Sequence, residues 1–132
     1  MKAKKVLFIN QEITPYVPDS ELSLLGRNLP QAIQEKGYEI LERDWKSGHH
    51  DLDIVAKDGS TLVVVEVKTR RNRLFGDPEE AIDYKKRQSL QSAINHYIKT
   101  HRANTVRFDI ISIVGTIGSK PEIDHIIDVA LI

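Results

Sequence analysis

The sequence has 132 residues, no cysteine, and 19 basic side chains against 19 acidic ones. Its length suits one domain with a hydrophobic core, and 40% hydrophobic with 29% charged residues is ordinary for a globular protein. Disulfides and thiolate metal sites are excluded, and the apolar run at residues 6–9 is too short for a signal peptide or a membrane span, so we expect a cytoplasmic protein.

The hydrophobic pattern predicts alternating strands and helices. In chain order we expect a strand over 5–10, a helix over 20–35 with a break near Pro30, strands over 38–45, 51–56 and 61–68, a helix over 83–100, a strand over 106–114 and a last strand near 122–131. Asp77-Pro78-Glu79-Glu80 has the form of a capping box, which indicates a short helix before the main one. The main helix carries an apolar stripe typical of core residues: Ile82, Leu90, Ala93, Ile94, Tyr97 and Ile98.

An Asp58-Gly59 pair separates two strand-like runs and predicts a tight hairpin. If these are the two loop residues, Asp51 pairs with Glu66, and Asp53 lies diagonal to Glu66 at roughly 7–8 Å between backbones. Because side chains alternate along a strand, one face is predicted to be chemical and the other to be core. The chemical face holds Asp51, Asp53, Glu66 and Lys68, and the core face holds Leu52, Ile54, Ala56, Val63, Val65 and Val67.

Asp53, Glu66 and Lys68 have the residue types of a divalent-metal phosphodiesterase site. Mg²⁺ binds one or two carboxylates together with waters and phosphate oxygens, and a nearby lysine can orient or help deprotonate the attacking water. The alternative is a solvated face with a cross-strand Glu-Lys pair. The run at 63–65, directly before Glu66, is typical of a strand buried on both faces, where carboxylates are costly unless paired or metal-bound. We therefore favour the functional interpretation.

A basic central segment is hidden by the zero net charge. Residues 66–107 carry ten Lys and Arg against five Asp and Glu, whereas residues 1–65 carry eight against ten. A local basic patch is what binding to a phosphate backbone requires. The candidate nucleic-acid-binding residues are Arg70, Arg71, Arg73, Lys85, Lys86 and Arg87, although a solvated helix face explains the last three equally well.

Two adjacent histidines, His49 and His50, precede the first strand of the hairpin. Neighbouring side chains on a strand point to opposite faces, so both do not easily bind one ion, and we expect a structural or loop role. His96, His101 and His125 receive no assignment.

Motif pieces across most of the chain resemble the YraN family. They are residues 37–45 (GYEILERDW), 50–56 (HDLDIVA), 65–70 (VEVKTR), 75–76 (FG), 85–90 (KKRQSL), 107–109 (RFD) and 124–126 (DHI). That family is similar to Holliday-junction resolvases of the restriction-endonuclease-like, PD-(D/E)XK superfamily. The resemblance runs from about residue 37 to the C-terminus and implies an α/β fold with an αβββαβ core, in which helices flank a mixed central sheet.

The resemblance also implies an activity, a Mg²⁺- or Mn²⁺-dependent endonuclease acting on branched or flapped DNA. Asp53, Glu66 and Lys68 would be catalytic, Asp53, Glu66 and Val67 would form the metal site, and Asp51 would support it. The alternative is a nucleic-acid-binding module without turnover, because a carboxylate that the family usually carries on its first helix is replaced here by Gly26. The expected partner is DNA, and a junction resolvase needs two sites, which a C2 homodimer would supply.

The first 36 residues depart from this pattern and resemble the start of a bacterial glycogen synthase. The likeness rests on residues 5–16 (KVLFINQEITPY) and 29–33 (LPQAI). The Lys-x-Gly-Gly-Leu loop that such enzymes use for nucleotide sugar is replaced by residues 18–22 (PDSEL), so no nucleotide sugar is expected. We expect residues 1–36 to be a fused strand-helix segment that joins the nuclease-like part, residues 37–132, in one compact domain.

Overall fold

A mixed sheet of six strands forms the centre of the molecule in a computed structural model that describes residues 4–7, 33–70, 82–114 and 122–131. The elements are β1 (Lys4–Leu7), β2 (Glu39–Ser47), β3 (His50–Asp58), β4 (Thr61–Arg70), α1 (Tyr84–Thr100), β5 (Thr105–Val114) and β6 (Glu122–Ile127). Residues 33–35 form a helical turn before β2. The rest of the predicted helix over 20–35 and the capping box at 77–80 lie outside the described residues.

The strand order is β1-β6-β5-β4-β3-β2. Strands β4 and β5 are parallel, and every other neighbouring pair is antiparallel. Helix α1 makes the crossover that a parallel pair requires, whereas β2, β3 and β4 follow one another as tight hairpins. This arrangement fits the restriction-endonuclease-like core that the sequence predicts, so the predicted fold class is confirmed.

Both faces of the sheet are packed, which corrects the prediction that the face bearing the carboxylates is free of core. Val55, Leu62 and Val64 share that face and are buried beneath α1, together with the predicted apolar stripe of the helix. The opposite face packs Val63 and Val65 against a second cluster that includes Ile33 of the helical turn. Strand β4 is therefore buried on both sides, as its valine run predicts, and the carboxylate chemistry is confined to one end of it.

The hairpin between β3 and β4 turns one residue later than predicted, which shifts the pairing register by two residues. Asp58 pairs with Thr61, so the loop residues are Gly59 and Ser60 rather than Asp58 and Gly59. Gly59 has φ +61, and a glycine at the first central position is what a type II′ turn demands. A two-residue shift leaves each side chain on its predicted face. Continuing the register from Ile54↔Val65 by one pair brings Asp53 directly opposite Glu66 instead of diagonal to it.

The alternation of β3 is interrupted at Asp53, and this corrects the predicted position of Leu52. Leu52 packs in the helix-side cluster, while Ile54 packs in the opposite one. In the neighbouring strand, Asp44 lies at the same level and takes φ 48, a left-handed conformation that twists the edge strand locally. The regular strand geometry is therefore interrupted at the level of Asp53, whose side chain projects into a cleft.

The start of α1 lies where the sequence predicts it, whereas β6 ends earlier than predicted. Asp83 caps α1 by accepting a hydrogen bond from the Lys86 N–H at 2.8 Å, so the helix begins where its sequence predicts. Strand β6, predicted to continue to about residue 131, ends at Ile127. Asp128 takes φ 63 and leaves the extended conformation, and Val129 donates to the Phe108 carbonyl oxygen at 2.7 Å.

Candidate functional site

A cleft of about 330 Å³ opens at the end of the sheet where β3 begins and β4 ends. Its lining is mostly charged: Asp44, Lys46, Asp51, Leu52, Asp53, Glu66, Val67, Lys68 and Lys86. The cleft brings together the predicted catalytic residues, the predicted supporting residue Asp51 and one of the predicted nucleic-acid-binding lysines. Sequence reasoning missed Asp44 and Lys46, which come from the edge strand β2.

Asp53 and Glu66 form the centre of the cleft. Asp53 Oδ2 accepts a hydrogen bond from the Val67 N–H at 2.8 Å, and the two carboxyl groups also interact through a hydrogen bond. Glu66 is only 7% exposed although its side chain ends in a carboxyl group. Glu66 is buried because it directly follows the valine run of β4, which lies in the core.

The proximity of the two carboxyl groups has a clear electrostatic consequence. Burial, followed by the hydrogen bond and the charge repulsion from Glu66, raises the pKa of Asp53 to about 8. The Val67 N–H and the Lys86 ammonium act in the opposite direction and are outweighed. Near neutral pH the Asp53 carboxyl of the metal-free protein therefore tends to keep its proton, and a cation that replaced this proton would relieve the repulsion.

Lys86 reaches this pair from the first turn of α1. Its Nζ lies 3.2 Å from Glu66 Oε2, and its side chain is 41% exposed. Burial lowers the pKa of Lys86, but the attraction of Glu66, Asp51 and Asp53 outweighs it, so the pKa is raised overall. The Lys86 ammonium therefore stays positively charged and offsets the negative charge of the carboxylates in the cleft.

Lys68 and Val67 line the same cleft in different ways. Lys68 is half-buried and projects from β4 on the side of Glu66. The Val67 side chain packs against the opposite core cluster, so Val67 faces the cleft with its backbone. Any contribution of Val67 to a metal would therefore come from its carbonyl oxygen.

The predicted nucleic-acid-binding residues are described only in part. Arg71, Arg73 and the side chain of Arg70 lie outside the described residues, and Lys85 is exposed beside the cleft. Arg87 donates from Nε to the Ile82 carbonyl oxygen at 3.0 Å and from Nη1 to the Ala130 carbonyl oxygen. These contacts tie the C-terminal segment to the start of α1, and a role of Arg87 in DNA binding stays a prediction.

The donor set fits a magnesium-type ion. Mg²⁺ is held in proteins by one or two carboxylates while waters and substrate oxygens complete its shell, and Asp53 and Glu66 supply such a pair at the wall of an open cleft. Within the described parts of the chain, no group of three or more His, Asp or Glu side chains is placed to hold a metal ion. That result includes the histidines at the β2–β3 turn, where the His50 and His96 rings stack at 4.9 Å.

A second charged network lies in the core, where the sequence provided only the motif pieces at 107–109 and 124–126. Arg107 binds both carboxylate oxygens of Asp109 at 2.9 Å, and His125 Nε2 lies 2.8 Å from Asp109 Oδ2. Tyr38 and Asp58 accept the other guanidinium hydrogens at 2.7 and 3.2 Å. Burial opposes ionisation of Asp109, but the hydrogen bonds from His125 and Arg107 prevail and lower its pKa. The opposite charges compensate one another, so we interpret this network as a stabilising element of the core and call it the structural lock.

Comparison with known proteins identifies the family of this chain. The model of a family described as "Uncharacterised protein family UPF0102" matches residues 29–113, which include every strand and helix of the cleft. The chain belongs to the UPF0102 family. Among its UPF0102 relatives is a protein of Bacteroides thetaiotaomicron, 46% identical over 109 residues, 81% of this chain and 89% of the relative. A relative from Porphyromonas gingivalis is 42% identical over 95 residues, 70% of each chain, and one from Syntrophomonas wolfei is 40% identical over 111 residues, 82% of this chain and 96% of the relative.

Membership in UPF0102 confirms the YraN family prediction. These relatives lend no support to the likeness of residues 1–36 to glycogen synthase, which stays an expectation from the sequence. Within residues 33–70, 82–114 and 122–131, no helix has both the length and the hydropathy of a membrane span.

Proposed function

We propose that this UPF0102 protein is a Mg²⁺- or Mn²⁺-dependent endonuclease that hydrolyses phosphodiester bonds in branched or flapped DNA. The observation that carries the proposal is the pair formed by half-buried Asp53 and buried Glu66, which faces an open cleft that also presents Lys68 and Lys86. Two carboxylates in one cleft with two lysines are suited to hold a divalent cation and an anionic substrate together.

Each residue has a role that follows from its position. Asp53 and Glu66 hold the metal, helped by the Val67 carbonyl oxygen, and Asp51 contributes negative charge at the rim of the cleft. A bound Mg²⁺ supplies charge neutralisation at the phosphate and lowers the pKa of water. Lys68, projecting from the same strand face as Glu66, orients the attacking water and stabilises charge on the phosphate.

The substrate is proposed to be DNA because basic residues surround the cleft. Lys46 and Lys68 line it, and Lys85 is exposed on the adjoining first turn of α1. In the sequence, the arginine-rich segment at 70–73 begins two residues after the catalytic lysine. A phosphate backbone that enters the cleft would meet the positive charge of Lys46, Lys68 and Lys85.

One observation favours a second candidate, a DNA-binding module that keeps the fold without turnover. In the described parts of the chain, the pair is not joined by a third carboxylate in a group able to hold a metal. Such a module would bind DNA equally well in Mg²⁺ and in EDTA.

The test is cleavage of linear, 5′-flap, 3′-flap and four-way-junction DNAs in Mg²⁺, Mn²⁺ or EDTA. We expect cleavage of at least one branched substrate with either metal and none in EDTA. Glu66→Gln should abolish cleavage, whereas Glu39→Gln, an exposed carboxylate of β2, should leave it unchanged. Binding without cleavage in every metal would support the module, and failure to bind any of the DNAs at low salt would contradict both candidates.

A further inference from the structure

We propose that Lys86 is a built-in counter-ion of the metal-free site, which neutralises Glu66 until a divalent cation displaces it. This inference rests on the metal site of the proposed function. It assigns Lys86 a role that differs from a simple DNA contact, because the lysine and the metal would compete for one carboxylate.

The contact geometry supports such a role. Lys86 Nζ lies 3.2 Å from Glu66 Oε2, and Glu66 is buried except for the side that faces the cleft. A buried carboxylate beside a second one is costly unless a cation compensates it. Within the described residues of the cleft, Lys86 is the basic side chain with an ion-pair contact to either carboxylate.

The two partners of this ion pair differ in exposure, which allows the ammonium to leave the carboxylate. The Lys86 side chain is 41% exposed, whereas that of Glu66 is 8% exposed, so the carboxylate stays fixed while the ammonium can swing into solvent. Lysine presents a compact charge on a flexible stem, unlike the bidentate fork of arginine that locks Asp109 elsewhere in the core.

A divalent cation at Asp53 and Glu66 would repel the ammonium and take over its carboxylate. The helix backbone at Lys86 is held by the Asp83 cap, so the released side chain would stay at the mouth of the same cleft. There it is available to a phosphate. Metal binding would thereby convert a lysine that neutralises the protein into one that contacts the substrate.

The first experiment is calorimetric titration of Mn²⁺ into wild type, Lys86→Gln and the matched control Lys85→Gln. Loss of the competing ammonium should tighten Mn²⁺ binding by roughly 3–10-fold in Lys86→Gln. Lys85→Gln lowers the net charge by the same amount at the next residue, so it should bind Mn²⁺ as wild type does. Equal or weaker binding by Lys86→Gln, with normal binding by wild type, would overturn the exchange and leave the metal site standing.

The second experiment is thermal melting in EDTA and in saturating Mn²⁺. In EDTA, Lys86→Gln should melt roughly 2–5 °C below wild type, and this difference should vanish in the Glu66→Gln background. Saturating Mn²⁺ should also remove it, because the metal replaces the lost charge. An unchanged melting temperature of Lys86→Gln in EDTA would overturn the counter-ion role. Absence of Mn²⁺ binding to all three proteins would overturn the metal site itself, and with it the exchange.

Discussion

Replacing Asp53 by asparagine should stabilise the metal-free protein while abolishing metal binding. Asparagine has the shape of a protonated aspartate, its Oδ1 can still accept from the Val67 N–H, and its amide can donate to Glu66. The variant therefore keeps the hydrogen bonds of the site and removes the electrostatic repulsion. Stability and function would change in opposite directions, as expected where a site is built for a cation.

The magnitude follows from the pKa of Asp53, which is raised from 3.8 to about 8. Between these pH values the folded protein binds a proton that the unfolded chain has lost, so the stability that Asp53 contributes is fully present below pH 4 and is lost as pH rises towards 8. At pH 7 the loss is on the order of 4 kcal/mol. For 132 residues this corresponds to roughly 14 °C in melting temperature.

Urea denaturation in EDTA at pH 5, 6, 7 and 8 measures this effect. The free energy of unfolding of Asp53→Asn should exceed that of wild type by an amount that grows with pH and levels off above pH 8. A difference that is constant over this range, or a variant less stable than wild type at pH 8, would refute the reasoning.

Three further changes test other parts of the account. Lys85→Gln should reduce the slope of log DNA affinity against log salt by about 0.9, the contribution of one neutralised phosphate, and an unchanged slope measured by fluorescence anisotropy would remove Lys85 from the DNA surface. Arg107→Met should cost about 3–5 kcal/mol in urea denaturation without altering Mn²⁺ affinity, because it leaves buried Asp109 without its bidentate partner; a loss below 1 kcal/mol would argue against the structural lock. Ser112→Ala should be neutral or stabilising by up to about 1 kcal/mol, since its buried hydroxyl has no partner among the described residues, and a clear loss in thermal melts would reveal a partner elsewhere.

The shared face of Asp53 and Glu66 on the hairpin could be predicted from the sequence, because the face of a side chain depends only on the alternation along each strand. Side chains alternate with a period of two, so the two-residue error in the pairing register left Asp53 and Glu66 on their common face. Even the valine run that precedes Glu66 indicates burial correctly. The fold class followed from the resemblance of the motif pieces to the YraN family, and the predicted order of three consecutive strands, a helix and a further strand agrees with it.

Other features of the site depend on contacts that no local pattern contains. Lys86 reaches Glu66 only because α1 crosses the sheet at a particular place, and Leu52 changes face beside the level at which Asp44 of the neighbouring strand is left-handed. Lys46 could have been found by pairing it with Asp51 across the turn at 48–49. The burial of Asp109 requires Arg107 from β5 and His125 from β6 at once, and sequence spacing alone does not bring these together.

The central claim is that Asp53 and Glu66 jointly bind a divalent metal ion. Anomalous diffraction from crystals soaked in Mn²⁺ would locate the ion directly, recorded at the manganese absorption edge. We expect a peak between the two carboxyl groups, with oxygen distances of about 2.0–2.3 Å and the Lys86 ammonium moved away from Glu66. A peak at the histidines near the β2–β3 turn, or no peak at a soak concentration that supports cleavage, would contradict it.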